Sequence, residues 1–304
     1  MKVFRNTLFV IASIWIVSGL LLRNTGELSA QNPELTIGVI ADCQYCDIEG
    51  TGERKYSQSP QKLEHAVSHL NSMDLDFVIH LGDFIDRDYE SFQVVLPIWK
   101  QLKMPAYHVL GNHDFSVDDK YKTQIHTVLG MPAKYYDFSV KGWRFVVLDG
   151  NDISLHAHPE GTKMDRQSRE YYEKHAAGSP EWNGALGSQQ LSWLESVLRD
   201  AEKSSENVVL FSHFPVYPEN VHNLWNAPEI IQLIEKYPGV KMYMNGHNHA
   251  GNYDEKKDVH YLTFKGMVNT DTTSYAVIKL SEKRAEISGY GREIDRDLSI
   301  TESQ

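Results

Sequence analysis

Seven side chains able to hold a cation stand in short blocks spread along the sequence: Asp42 and Gln44 in Asp-Cys-Gln, Asp83 in Gly-Asp-Phe-Ile-Asp-Arg, Asn112 in Gly-Asn-His-Asp, His213 in Ser-His, and His247 and His249 in Gly-His-Asn-His. Carboxylate, carboxamide and imidazole donors with no thiolate suit Mn, Fe, Zn or a similar divalent ion. A carboxylate such as Asp83 can bridge two ions. Two ions about 3.5–4 Å apart can acidify a water between them and clamp phosphate oxygens for in-line displacement. Each residue also has a plainer use: Asp42 or Asp83 capping a turn, Asn112 in a left-handed turn after Gly111, or His213 as a satisfied loop histidine. It is the ordered set that points to one site.

The elements that must carry these residues alternate between strand-like and helix-like runs. Periodicity predicts strands over 35–41, 77–81 and 106–110 with helices over 60–73 and 92–102 between them, the latter with Phe92, Val95, Leu96 and Trp99 inward. This βαβαβ order implies a mostly parallel, helix-covered sheet. A hairpin follows over 135–148, turning at Lys141-Gly142. Residues 149–187 show no clear period and are expected to form a lid or binding loop. A helix from Ser188 carries Leu191, Leu194 and Leu198. It precedes a strand over 208–211, a helix through Ile230, Ile231 and Ile234, and a strand over 240–244. Three further β segments, 259–264, 275–280 and 285–290, complete the chain. Every candidate donor falls just past the carboxyl end of an expected strand, the edge at which ligands bind in open α/β sheets.

With these blocks in hand, the chain resembles the calcineurin-like metallophosphoesterases, through Asp42-Cys43-Gln44, Gly82 to Arg87, Gly111-Asn112-His113-Asp114, Ser212-His213 and Gly246-His247-Asn248-His249. The resemblance implies an α/β fold, a β-sandwich of mixed sheets flanked by helices, with a dinuclear centre at the strand C-terminal ends. It also implies that Asp42, Gln44, Asp83 and His249 hold one ion and Asp83, Asn112, His213 and His247 the other. His113, oriented by Asp86, would protonate or stabilise the leaving group, the task of an imidazole held by a carboxylate. Arg87 would contact phosphate or form an ion pair with a neighbouring carboxylate.

Most of that superfamily has His where this chain has Gln44. A carboxamide oxygen is the harder donor and tilts the site toward Mn over Zn or Fe. The Asp-x-Gln variant is similar to the manganese-dependent ADP-ribose/CDP-alcohol diphosphatases. The similarity extends to Tyr136 to Ser139, Gly142 to Phe145, Asn183 to Leu186, Trp225-Asn226 and Gly289 to Glu293. It implies hydrolysis of phosphoanhydride bonds in small nucleoside-diphosphate conjugates, with Asn112, Arg87, Asn183 and Leu186 at the substrate. Trp182, Trp225 and Tyr253 could stack on a base or simply fill the core. Residues 47–56 make a shorter loop than that branch has, with no aromatic before Tyr56. This keeps a broad phosphomonoesterase or phosphodiesterase as the alternative, and a non-catalytic metal- or nucleotide-binding module as a second.

The composition narrows the partners. A net charge of -11 over 304 residues, with no basic cluster, disfavours a polynucleotide and fits a small phosphorylated substrate. Lys2 and Arg5 ahead of the apolar run 8–22, then Leu28-Ser29-Ala30, resemble a secretory signal. Residues 1–30 would thus be a signal peptide or membrane anchor, with residues 31–304 a phosphoesterase domain outside the cytoplasm, periplasmic or secreted. The membrane is a partner only if that segment stays uncleaved. Cys43 and Cys46 are the only cysteines, read as loop residues that an oxidising compartment could join in a strained disulfide.

Overall fold

The computed structural model describes residues 34–300, so the signal or anchor expected over 1–30 lies outside the described residues. In chain order the elements are β1 (Leu35–Ile40), α1 (Ser59–Leu70), β2 (Phe77–His80), α2 (Phe92–Trp99), β3 (Ala106–His108), the one-turn helices α3 (Asp119–Lys122) and α4 (Ile125–Val128), β4 (Tyr136–Val140), β5 (Trp143–Val147), β6 (Ile153–Ser154), α5 (Lys163–Tyr171) and β7 (Gly184–Ala185). There follow α6 (Ser188–Lys203), β8 (Asn207–Phe211), α7 (Ala227–Ile234), β9 (Val240–Asn245), β10 (Asn252–Lys256), β11 (Val259–Thr263), β12 (Ser274–Leu280), β13 (Arg284–Gly291) and β14 (Arg296–Ser299).

Two six-stranded sheets result, ordered β14-β13-β12-β1-β2-β3 and β10-β11-β9-β8-β5-β4, with β6 and β7 pairing separately. Strands β1, β2 and β3 are parallel, as the βαβαβ order requires. The sheet is nevertheless mixed and not mostly parallel, because β12 returns antiparallel against β1 and carries β13 with it. The second sheet mixes in the same way, β5, β8, β9 and β11 parallel and β4 and β10 antiparallel at its edges.

Alternation along each strand divides the core. Leu35, Ile37 and Val39 of β1 join Phe77, Ile79, Phe145, Val209, Phe211, Met242 and Met244 in a layer built from both sheets. Alternate residues turn outward to the helices. On α1, Leu63, Ala66, Val67 and Leu70 recur at helical spacing and pack beneath the first sheet. On α6, Leu194, Val197, Leu198 and Ala201 do the same beneath the second. Each such leucine, fully withdrawn from water, contributes about 1.5–3 kcal/mol.

Helix α2 buries Phe92, Val95, Ile98 and Trp99, while Leu96 is only partly buried. It stops at Trp99, two residues past Pro97 and short of the expected end at residue 102. Within 149–187, expected to lack regular structure, α5 forms with Thr162 accepting from the Asp165 N–H as its N-cap. Cys43 and Cys46 are free and buried, so the disulfide is not formed. The Cys46 thiol faces Asp86 Oδ2 at 3.7 Å.

Candidate metal centre

The strand ends deliver the donors by leaving the sheet abruptly. Asp42, Gln44, Asp83 and His247 all adopt left-handed backbone, with φ of 51°, 50°, 58° and 67°. Non-glycine residues avoid this region, and its recurrence at four donor positions marks strain held in place by the surroundings. The holding groups are visible. The Asp114 carboxylate, fully buried, accepts N–H groups from Asp83 (3.1 Å), Phe84 (2.8 Å), Ile85 (3.3 Å) and Gly111 (2.9 Å). Asp42 accepts the His247 N–H at 3.1 Å, tying the β1 end to the β9 end. Gly82, with φ 93°, is required because a Cβ there would sit 2.6 Å from His213 Nδ1.

Two donor groups emerge, Asp83–His213–His247 and Asp42–Asp83–His249, each with its ligand atoms within 4.8 Å of one another. Asp83 belongs to both, as a bridging carboxylate must. In the first group His213 Nε2 lies 3.2 Å from Asp83 Oδ2, 3.2 Å from Asn112 Oδ1 and 3.2 Å from His247 Nδ1. Ligand bonds of about 2.1 Å place neighbouring donors about 3.0–3.4 Å apart, so this spacing fits one ion. In the second group His249 Nε2 lies 3.4 Å from Asp42 Oδ1, and the Gln44 amide nitrogen, Nε2, donates to Asp83 Oδ2 at 3.4 Å. Gln44 Oε1 is buried with no hydrogen-bond partner among the described residues, which fits a carboxamide oxygen reserved for a cation.

The buried charges of the cluster act strongly on one another. Burial works against charge on Asp83, but His213 and His113 hold it ionised, well below the usual carboxylate range. Burial likewise opposes a charged His213, and Asp83 overrides it, raising the imidazole to about 9. His113 Nδ1 sits 2.9 Å from Asp86 Oδ1 and 3.1 Å from the Asp86 carbonyl, and the His113 backbone N–H donates to Asp83 Oδ1 at 2.8 Å. Against the penalty of burial, Asp83 and Asp86 raise its pKa, which favours the proton-donating form.

These groups floor a cavity of about 660 Å³ whose walls include Arg54, Asn112, His113, His156, Trp182, His222 and His249. Residues 149–187 supply Leu155, His156, Glu181 and Trp182 to that wall, as a binding loop would. Other expectations need correction. Arg87 does not line the cavity: both Nε and a terminal nitrogen lie 2.7 Å from Asp86 Oδ2, so the ion pair takes the guanidinium. Arg54 lines the cavity instead, with Tyr56 Oη as its side-chain hydrogen-bond partner at 3.4 Å and no carboxylate ion-paired to it among the described residues. Leu186, 1% exposed, belongs to the core under the second sheet and cannot touch substrate. Asn183 is also buried, its carboxamide on His247 and the Val221 carbonyl. Trp225 lines a different cavity, and Tyr253 another on the β10 edge. Trp182 is half exposed at the metal cavity, which rules out core filling.

Comparison with known proteins agrees with this geometry. The chain is 30% identical over 302 residues to a manganese-dependent ADP-ribose/CDP-alcohol diphosphatase of Arabidopsis thaliana, covering 87% of this chain and 96% of that one. The enzyme of the same name from Homo sapiens is 28% identical, covering 91% and 96%. Among solved structures, a dimetal phosphatase from Danio rerio superposes with a TM-score of 0.80 at 25% identity, covering 88% of this chain and 99% of that one. The calcineurin-like phosphoesterase family model matches residues 35–251, across every donor block, and the chain belongs to that family of metallophosphoesterases.

Proposed function

We propose that the protein hydrolyses the phosphoanhydride bond of small nucleoside-diphosphate conjugates, of the ADP-ribose or CDP-alcohol type, using two manganese ions. The observation that carries the reading is the pair of donor groups sharing Asp83, with His113 beside them in one cavity. Asp42, Gln44, Asp83 and His249 would hold one ion, and Asp83, Asn112, His213 and His247 the other. When bound, the ions supply an acidified water and charge neutralisation at the attacked phosphoryl group. His113 would donate a proton to the departing oxygen, its protonated form favoured by Asp83 and Asp86. Trp182 offers an apolar face at the cavity for the nucleoside. The named activity of the relatives, matched along nearly their whole length, supports the substrate class.

Turnover of ADP-ribose and CDP-choline by the purified domain with Mn is the expected result. Cleavage of a generic phosphodiester with no turnover of either conjugate would reject it. That outcome would favour the broad phosphomonoesterase or phosphodiesterase reading, for which the loop 47–56, with no aromatic before Tyr56, is the supporting feature. The basic start and apolar run of residues 1–30 support export, periplasmic or secreted. N-terminal sequencing of the mature protein tests it, and a retained Met1 on a soluble cytoplasmic product would count against it.

A further inference from the structure

His213 is steadied from behind by a backbone carbonyl, Leu81 O at 2.8 Å from its Nδ1. His247 and His249 are not. The Nδ1 of His247 faces the donor cluster, while its Nε2 meets Asn183 Oδ1 at 2.9 Å. His249 is arranged the opposite way round, Nε2 toward Asp42 and Nδ1 on Asn269 Oδ1 at 2.7 Å.

Neither carboxamide is free to turn. Asn183 Nδ2 donates to the Val221 carbonyl at 2.8 Å, and Asn269 Nδ2 donates to Glu53 Oε2 at 3.3 Å. Both of those partners accept only, so each amide must point its oxygen at the imidazole. An imidazole facing an acceptor must present N–H there, which leaves the lone pair on its other nitrogen directed into the cluster. The loop holding Asn269 is itself pinned by Lys62, whose buried ammonium donates to the carbonyls of Met267 (3.1 Å), Val268 (3.2 Å) and Thr270 (2.5 Å).

We propose that Asn183 and Asn269 are positioning residues, one for each ion, that select opposite tautomers in His247 and His249 and so aim Nδ1 of the first and Nε2 of the second at the metals. This rests on the two-ion reading above. Groups that orient a metal-ligating histidine this way contribute roughly 10- to 100-fold in metal affinity.

Calorimetric titration of Mn into the metal-free protein tests the pair. Asn183→Leu removes the acceptor and is expected to weaken one of two binding events by roughly 10- to 100-fold, and Asn269→Leu the other. The double variant weakens both. Imidazole ¹⁵N shifts of the metal-free protein give a readout that a packing role would not move: His247 protonated at Nε2 and His249 at Nδ1 in the parent, with that preference lost in the leucine variants. Melting temperatures of the metal-free variants report folding separately. If a leucine variant fails to fold, Asn183→Ser or Asn269→Ser vacates the contact with less bulk and is expected to show the same loss. Leucine or serine variants that take up two ions with parental affinity would overturn the proposal. So would a metal-free parent in which His247 and His249 carry the same tautomer. A parent protein that takes up no Mn would instead sink the metal reading beneath it.

Discussion

Gly111 lies where the third parallel strand hands over to Asn112, and a methyl group placed there has nowhere to go. Its Cβ would stand 2.2 Å from Asp83 N and 2.2 Å from Asp83 Oδ1, against an ordinary contact of at least 3.4 Å. Relief requires a shift of about 1.2 Å, the difference between those two distances. Asp83 cannot yield cheaply, because its N–H is held by Asp114 and its carbonyl by the Gln44 N–H at 2.8 Å. Overpacking on this scale costs about 1–3 kcal/mol of stability. The functional loss should be larger, since Asp83 serves both donor groups and a displacement of about 1 Å at a reacting centre costs on the order of 100-fold in rate, or about 2.7 kcal/mol. For Gly111→Ala we therefore expect a modest fall in Tm, a fall in Mn affinity at both sites measured by calorimetry, and kcat/KM for ADP-ribose down by about 100-fold or more. A variant that binds two ions as tightly as its parent and retains activity within about threefold would refute the reasoning.

Three further outcomes follow from the same geometry. His113→Ala should lower kcat by roughly 10²- to 10⁴-fold with two Mn still bound per chain, and an undiminished kcat would remove His113 from the chemistry. Trp182→Ala, at a half-exposed position, should leave Tm unchanged and raise KM for ADP-ribose by roughly 5- to 150-fold without changing KM for p-nitrophenyl phosphate; equal effects on both substrates would exclude stacking. Burial pushes the Asp149 carboxyl from 3.8 up to about 6, so the native state binds more protons than the unfolded chain between those values. Stability is lost as pH rises through that window, and Asp149→Asn should recover about 1–3 kcal/mol at pH 7.5 and little near pH 4. Urea unfolding of the metal-free proteins at the two pH values checks this, and a gain that does not depend on pH would contradict it.

The buried strands and the amphipathic helices were legible because their apolar residues repeat at the spacing of the surface they cover, as Leu194, Val197, Leu198 and Ala201 do. What escaped was polar. Strand β10, Asn-Tyr-Asp-Glu-Lys, sits on a sheet edge and owes its extension to pairing with β11, not to any pattern of its own. Helix α5, Lys-Met-Asp-Arg-Gln-Ser-Arg-Glu-Tyr, has no apolar stripe, and only the Thr162 cap announces it. At the site, the seven candidate donor positions were readable because each sits at a strand end in a short block. Their supports were not. Asn269 and Arg54 come from loops with no regular spacing to the donors, and only folding shows what they face. Asp114 lay in view within Gly-Asn-His-Asp, yet its four backbone partners belong to two segments about thirty residues apart in sequence. Leu186 misled because its neighbours in sequence approach the centre while its own side chain points into the core.

The donors that meet at Asp83 come from two sources: Asp42, Asp83 and Asn112 trail β1, β2 and β3 of one sheet, whereas His213 and His247 trail β8 and β9 of the other. A cation gripped there is a rivet through the seam of the sandwich. The sheets cannot slide or part without surrendering it, so global unfolding and metal release become one event. At a hundredfold excess over its dissociation constant each ion then adds about 2.7 kcal/mol to the folded state. The stability of this protein is accordingly tied to the metal supply of its surroundings as well as to its hydrophobic interior.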